Sequence, residues 1–366
     1  MTSSNSQSLT HTIREVLPNR ELLLLERMLR IYSPSREEAV ISAFLVEEMK
    51  SMGFQAYGDG VNNAIGILGG GNKTIILLGH MDTVSGQIPV EIREGRLFGR
   101  GAVDAKGALA CFICAALRLR KESTSLDRKI VVIGAVEEEA ATSLGARQAV
   151  KDFDPPDFCI VGEPSGWSAI TLGYKGRVLV DYRLEISSKH SAGKGKLVCE
   201  QAVDFWNGIR SWCERFNEGK GAFQTIDPSI RCFNSEHNGL TEVAYVKMGF
   251  RLPAGFLLPD FKSLLQTQAG SKAQLSFSGD EAAVRTGKSN PLVKAFLQAI
   301  RARGGQPRFK VKTGTADMNV VAPYWKCPTV AYGPGDSMLD HTPEEHIEIA
   351  EYSKAIDVLE SVLRTL

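Results

Sequence analysis

The sequence predicts an α/β protein: a mostly parallel sheet with helices on both faces, interrupted by an inserted α+β domain. Three observations carry that prediction. Short apolar runs at 75–78, 129–136, 158–161 and 329–332 read as buried strands. From the first of them to about Leu172 strand and helix patterns alternate, as a parallel sheet covered on both faces requires. Near residues 172–177 the character changes to a half-exposed strand pattern and long amphipathic helices, and after Gly279 the first pattern resumes. The expected domains are therefore 1–173 with 280–366, and an insert at 174–279.

Taken in order, residues 1–18 read as a loosely held polar tail leading into a first helix. The stretch RELLLLERMLRI, 20–31, has helical periodicity. Ser35 to Glu38 matches a capping box, with Ser35 as the cap and Glu38 three positions on. The helix behind it should run to about Met52 and stop at Gly53. Residues 58–71 read as short strands and glycine turns. Gly70 to Thr74 lacks the glycine directly before lysine that a phosphate loop needs, so a hairpin turn is the better reading.

Within the insert, VLVDYRLEIS, VAYVKMGFRLP and AQLSFSG read as strands, and VCEQAVDFWNGIRSWCERF and DFKSLLQTQAG as helices. Beyond it, NPLVKAFLQAIRARGG reads as a helix, CPTVAYGPGD as a strand, and 343–366 as a closing helix.

Bulk properties exclude several function classes. The chain has 366 residues, 43% hydrophobic and 23% charged, which is ordinary for a globular protein of two domains. A formal net charge of +1 gives no case for nucleic-acid or membrane partners. No apolar run approaches the roughly 20 residues of a membrane helix. The polar start has no secretory pattern, and the seven cysteines are scattered and odd in number. The expected location is the cytoplasm. Cys111 and Cys114 sit in an apolar helical pattern with no second cysteine pair, which points to core packing.

The chemistry lies where the apolar runs end. The first ends in Gly79-His80-Met81-Asp82, and in extended chain His80 and Asp82 project to one face. A carboxylate beside a histidine is the usual support for a metal-bound imidazole. Gly99 to Gly107 is a glycine-rich loop that carries Asp104. The second run ends in Glu137-Glu138-Glu139, the third in Gly162-Glu163-Pro164, and the fourth leads to His341. Ligands of open α/β sheets sit at the carboxyl ends of the strands, so these residues should share one pocket.

These motifs, in this order and across essentially the whole chain, resemble the dinuclear-zinc metallopeptidase and deacylase family. That family includes acetylornithine deacetylase, succinyl-diaminopimelate desuccinylase and glutamate carboxypeptidase. The resemblance implies an amide hydrolase with two Zn2+ per subunit, for which Co2+ may substitute. By it, Asp104 bridges the metals, His80 and Glu163 complete one, and Glu139 and His341 complete the other. Asp82 orients His80, and Glu138 is the general base toward water and the leaving amine. The family's usual Asp-Glu-Glu is Glu-Glu-Glu here, and a one-residue shift to Glu137 and Glu138 is the alternative.

The insert resembles the family's dimerisation domain, which implies a homodimer. His190 matches the histidine that reaches the partner subunit's site and steadies the oxyanion. Arg251 matches an arginine that holds a substrate carboxylate. Thr315 lies in a matching substrate-facing loop. His11, His237 and His346 match nothing.

The motifs ITLGYKGR, KTGTADMN and AYGPGDSxLDHTPEE resemble a branch that releases lysine or ornithine from a small acidic amino-group carrier protein, in lysine or arginine biosynthesis. Lys189, Lys194 and Lys196, and Arg301, Arg303, Arg308, Lys310 and Lys312, form the basic groups such a partner calls for. The competing expectations are a small-molecule deacylase and a metal-free binding relative.

Overall fold

The computed structural model describes residues 20–122, 126–190 and 193–366. The expected tail at 1–18 lies outside them. The chain divides into two compact units. One holds the residues up to Gly173, Thr286–Lys310 and Ala316–Leu366; the other holds Tyr174–Arg285 and Val311–Thr315. The return to the first unit thus falls at Thr286 rather than at 280, and a short stretch around Thr315 groups with the second.

In the first unit, strands Gln55–Gly58, Ala64–Leu68, Arg128–Ala135, Lys73–His80, Phe158–Gly162, Thr329–Tyr332 and Ala169–Tyr174 lie side by side in that order. The four central ones, Arg128–Ala135 through Thr329–Tyr332, pair in parallel, and their outer neighbours are antiparallel. Ile75 to Leu78 and Ile130 to Ile133 are buried at every position, so both faces of the sheet are covered. Each such side chain removed from water contributes roughly 1.5–3 kcal/mol, which makes these runs the anchor of the fold.

The helix Lys106–Glu122 packs on this sheet and against the closing helix Ile349–Thr365. Its close approach explains two glycines. Gly79 and Gly162 are register partners on adjacent strands, directly before His80 and Glu163. A Cβ on Gly162 would lie 3.0 Å from the Gly79 Cα and 3.1 Å from the Phe112 ring. Small residues there let helix and sheet meet.

The second unit is a four-stranded antiparallel sheet in the order Asp227–His237, Thr241–Leu252, Gly176–Ser187, Ala273–Glu281. Helices Val198–Asn217 and Leu258–Ala269 share its core of Val180, Tyr182, Phe205, Ile209, Met248 and Phe261. The strand Asp227–His237 was not legible in the sequence. It is an edge strand exposed from Ser229 onward, so it carries no apolar alternation.

Three local expectations are overturned. Residues 70–74 make no hairpin turn, because Arg128–Ala135 lies between Ala64–Leu68 and Lys73–His80 in the sheet; the hairpin joins Gln55–Gly58 to Ala64–Leu68 through residues 59–63. The helix after Ser35 begins at Ala39, its N-cap Glu38 makes no side-chain cap, and the Ser35 hydroxyl turns to Asp82 instead. The closing helix starts at Ile349, not 343, because His346–Glu348 pairs as a strand with Arg96–Phe98 and Glu345 turns inward.

Candidate metal centre

Separate strand ends deliver the polar side chains to one place. His80 is the last residue of Lys73–His80, and Glu163 follows Phe158–Gly162 directly. Glu137 to Glu139 lie just beyond Arg128–Ala135, and Asp104 lies in the loop before the helix Lys106–Glu122. His341 sits in a loop after Thr329–Tyr332 with φ of 61°.

Asp104 is at the centre of the arrangement. Its Oδ1 lies 3.2 Å from His80 Nε2 and its Oδ2 3.1 Å from His341 Nε2. His341 Nε2 is also 2.9 Å from Glu139 Oε1. Two triads result: His80, Glu138 and Glu163, and Asp104, Glu139 and His341, with the donor atoms of each within 4.8 Å of one another. Glu137 belongs to neither. Its Oε2 accepts the Thr142 hydroxyl at 2.5 Å and faces Arg36 Nε at 3.8 Å. Glu138 and Glu139, and not Glu137, are therefore the acids of this turn that lie with the histidines.

The electrostatics are those of crowded carboxylates. Burial raises the Glu138 carboxyl well above the usual range, and Glu163, Asp317 and Glu139 add to it while His80 opposes. Burial and Asp104 raise Glu139 in the same way, against the pull of His341. Burial acts to raise Asp104, but His341 and His80 outweigh it and hold it down. His80 is only 1% exposed, and burial acts to lower it; contacts with Asp104 and Asp82 reverse the sign and raise it well above normal. His341 is pushed up to about 10 by Asp104 and Glu139.

The backbone of the acid turn is held by carboxylates as well. Glu38 Oε1 accepts the Glu137 N–H at 3.0 Å, and Asp82 accepts those of Glu138 and Glu139 at 3.1 Å each. Ser35 Oγ donates to Asp82 Oδ2 at 2.6 Å. His80 Nδ1 lies 2.9 Å from the Asp82 carbonyl and 3.4 Å from its carboxylate. Asp82 therefore faces the histidine and also grips the acid turn. Ser35 and Glu38 were missed as site residues because a helix-start pattern accounted for both.

The second unit holds Arg251, Thr315 and His190. Arg251 Nη1 donates to Thr315 Oγ1 at 2.6 Å, and that hydroxyl donates to the Lys175 carbonyl at 3.1 Å. The Lys175 ammonium is fully buried against Thr225 and Asp227. His190 is exposed. Of the expected basic group, Lys196 is paired with Asp204, Lys189 donates to the Lys196 carbonyl at 2.5 Å, and Lys194 is exposed.

The donor set fits a pair of divalent metals. Imidazole nitrogen and carboxylate oxygen are the ligand atoms zinc takes, and each triad offers three. Four carboxylates converge on two histidines, a concentration of like charge that two cations would relieve.

Comparison with known proteins gives the same picture. The model of peptidase family M20/M25/M40 matches residues 76–365. The chain is 47% identical to a [LysW]-lysine hydrolase of Deinococcus radiodurans, over 94% of this chain and 96% of the relative. It is 30% identical to a [LysW]-lysine/[LysW]-ornithine hydrolase of Saccharolobus solfataricus, over 92% and 93%. Its fold is similar to that of the family M20 metallo-carboxypeptidase Sso-CP2 from Sulfolobus solfataricus. The TM-score is 0.74 at 20% identity, covering 94% of this chain and 98% of that one.

Proposed function

Because the chain belongs to peptidase family M20/M25/M40, we propose that it is a two-metal amide hydrolase acting on a carrier-protein conjugate. It releases lysine or ornithine from the γ-carboxyl of the C-terminal glutamate of a small acidic amino-group carrier protein. The observation that supports the chemistry is the paired triads centred on Asp104. The support for the substrate is the 47% identity to a lysine hydrolase of that type.

In this reading His80, Asp104 and Glu163 would hold one ion and Asp104, Glu139 and His341 the other, with zinc as the metal and cobalt able to replace it. When bound, such a pair supplies Lewis-acid polarisation of the amide carbonyl and makes water more acidic. Glu138 takes a proton from the attacking water as the C–O bond forms and then delivers it to the leaving amine nitrogen as the C–N bond breaks. Asp82 keeps Glu138 in place through the backbone of the acid turn and faces His80 from behind.

Arg251, set by Thr315, binds the carboxylate of the released amino acid. The protein acts in the cytoplasm as a homodimer in which His190 serves the partner subunit's site. The exposed edge strand Asp227–His237, with Ile230 and Phe233 outward, is a surface suited to pairing of two copies.

The test is an assay of purified, zinc-loaded protein on a carrier–lysine conjugate, acetylornithine and succinyl-diaminopimelate. The expected result is kcat/KM at least about a hundredfold higher on the conjugate, the discrimination expected of a site that recognises groups the small amides lack. Faster turnover of either small amide would favour the small-molecule deacylase reading.

A further inference from the structure

Glu345 lies four residues after His341, in a stretch whose pattern reads as the start of a helix. Its side chain is 1% exposed. Oε1 accepts the backbone N–H of Val103 at 2.9 Å and of Asp104 at 3.1 Å, and Oε2 accepts Arg100 Nη1 at 2.7 Å. Arg100 also donates to the carbonyls of Gly86 at 3.0 Å and Thr342 at 3.2 Å. The Glu345 carbonyl accepts the Gly99 N–H at 3.3 Å. One residue thus grips both ends of the loop that presents Asp104, and it is tied to the segment that presents His341.

We propose that Glu345 is a positioning residue of the metal centre: it clamps the backbone at Asp104 so that one carboxylate oxygen faces each metal position. The inference rests on the two-metal reading given above. Asp104 has a short side chain, so the placement of its two oxygens follows the placement of its N–H and Cα closely. The loop that carries it is glycine-rich, with Gly99 and Gly101 both at positive φ, and so has little stiffness of its own. A buried carboxylate with three donors, all on this loop and two of them backbone N–H groups, supplies that stiffness. Outer partners of this kind set metal affinity without touching the ion.

A purely structural role for the Arg100–Glu345 pair makes a different prediction. Either substitution breaks the same ion pair, but only loss of Glu345 frees the two N–H groups. The experiment measures metal binding to metal-stripped protein by calorimetry, together with the visible absorption of the cobalt-loaded form. Glu345→Ala should weaken metal binding by about 10–100-fold and alter the cobalt spectrum, as loss of an outer-shell partner typically does. Glu345→Gln, which keeps an oxygen acceptor, should recover part of the loss. Arg100→Ala should stay within about threefold of the wild type because the clamp on Asp104 survives.

Equal losses in Glu345→Ala and Arg100→Ala, or wild-type affinity in Glu345→Ala, would overturn the proposal. Should Glu345→Ala not fold, Glu345→Gln against Arg100→Ala makes the same comparison, with the larger loss expected in Glu345→Gln. Wild-type protein that takes up no metal would instead bring down the two-metal reading, and the positioning role with it.

Discussion

Glu138 and Glu139 are neighbours in sequence with different surroundings. Glu139 has one oxygen 2.9 Å from His341 Nε2, whereas Glu138 groups with His80 and Glu163. Substitution should separate their roles. Glu138→Gln keeps the shape and removes the base, so kcat should fall by at least about 10²–10⁴-fold with two metals retained. Glu139→Gln should instead lose metal from one position. Elemental analysis beside steady-state kinetics reads both, and the reverse pattern would exchange the two roles.

The same pair shows what a sequence can reveal at this scale. His80, Asp104, Glu163 and His341 were legible because each follows a glycine turn or the end of an apolar run. Ser35, Glu38 and Glu345 were not. Glu38 and Glu345 bind backbone N–H groups of distant loops, and Ser35 binds a carboxylate 47 residues away. Contacts of that kind leave no spacing or periodicity to read.

Among elements, the turn before the acid cluster depends on one buried amide. Asn63 Nδ2 donates to Asp59 Oδ2 at 2.7 Å and to the Gly145 carbonyl at 3.0 Å. Its Oδ1 accepts the Val136 N–H at 3.0 Å, directly before Glu137. It therefore joins the hairpin turn at 59–63, the strand end at Val136 and the start of the helix Leu144–Asp152. Asn63→Ala should lower stability by roughly 1–3 kcal/mol by leaving buried polar groups without partners. Asn63→Asp should be worse still, because it places a second carboxylate against Asp59. Chemical denaturation ranks the three proteins, and an aspartate variant as stable as the wild type would refute this account of the turn.

Elements differ in legibility for a related reason. The four central strands were visible because burial on both faces demands continuous apolar runs. The edge strand Asp227–His237 buries little, so nothing in its composition marks it. Its pairing with Thr241–Leu252 comes from backbone hydrogen bonds and its neighbour's register.

For the whole molecule, the proposed role of His190 concerns the assembly rather than the single chain. His190 belongs to the second unit and is exposed, while both triads belong to the first. If each site takes its histidine from the partner, two inactive variants should complement one another. His190→Ala homodimers lack the partner histidine at both sites, and Glu138→Gln homodimers lack the base at both. A mixed dimer has one site with Glu138 and a donated His190, and one site with neither. Random exchange makes about half of the dimers mixed, so activity should return to about a quarter of the wild-type value. Denaturing and refolding an equimolar mixture, then assaying it against each parent treated alike, measures this. A mixture no more active than its parents, with mixed dimers confirmed by mass, would place His190 outside the partner's site.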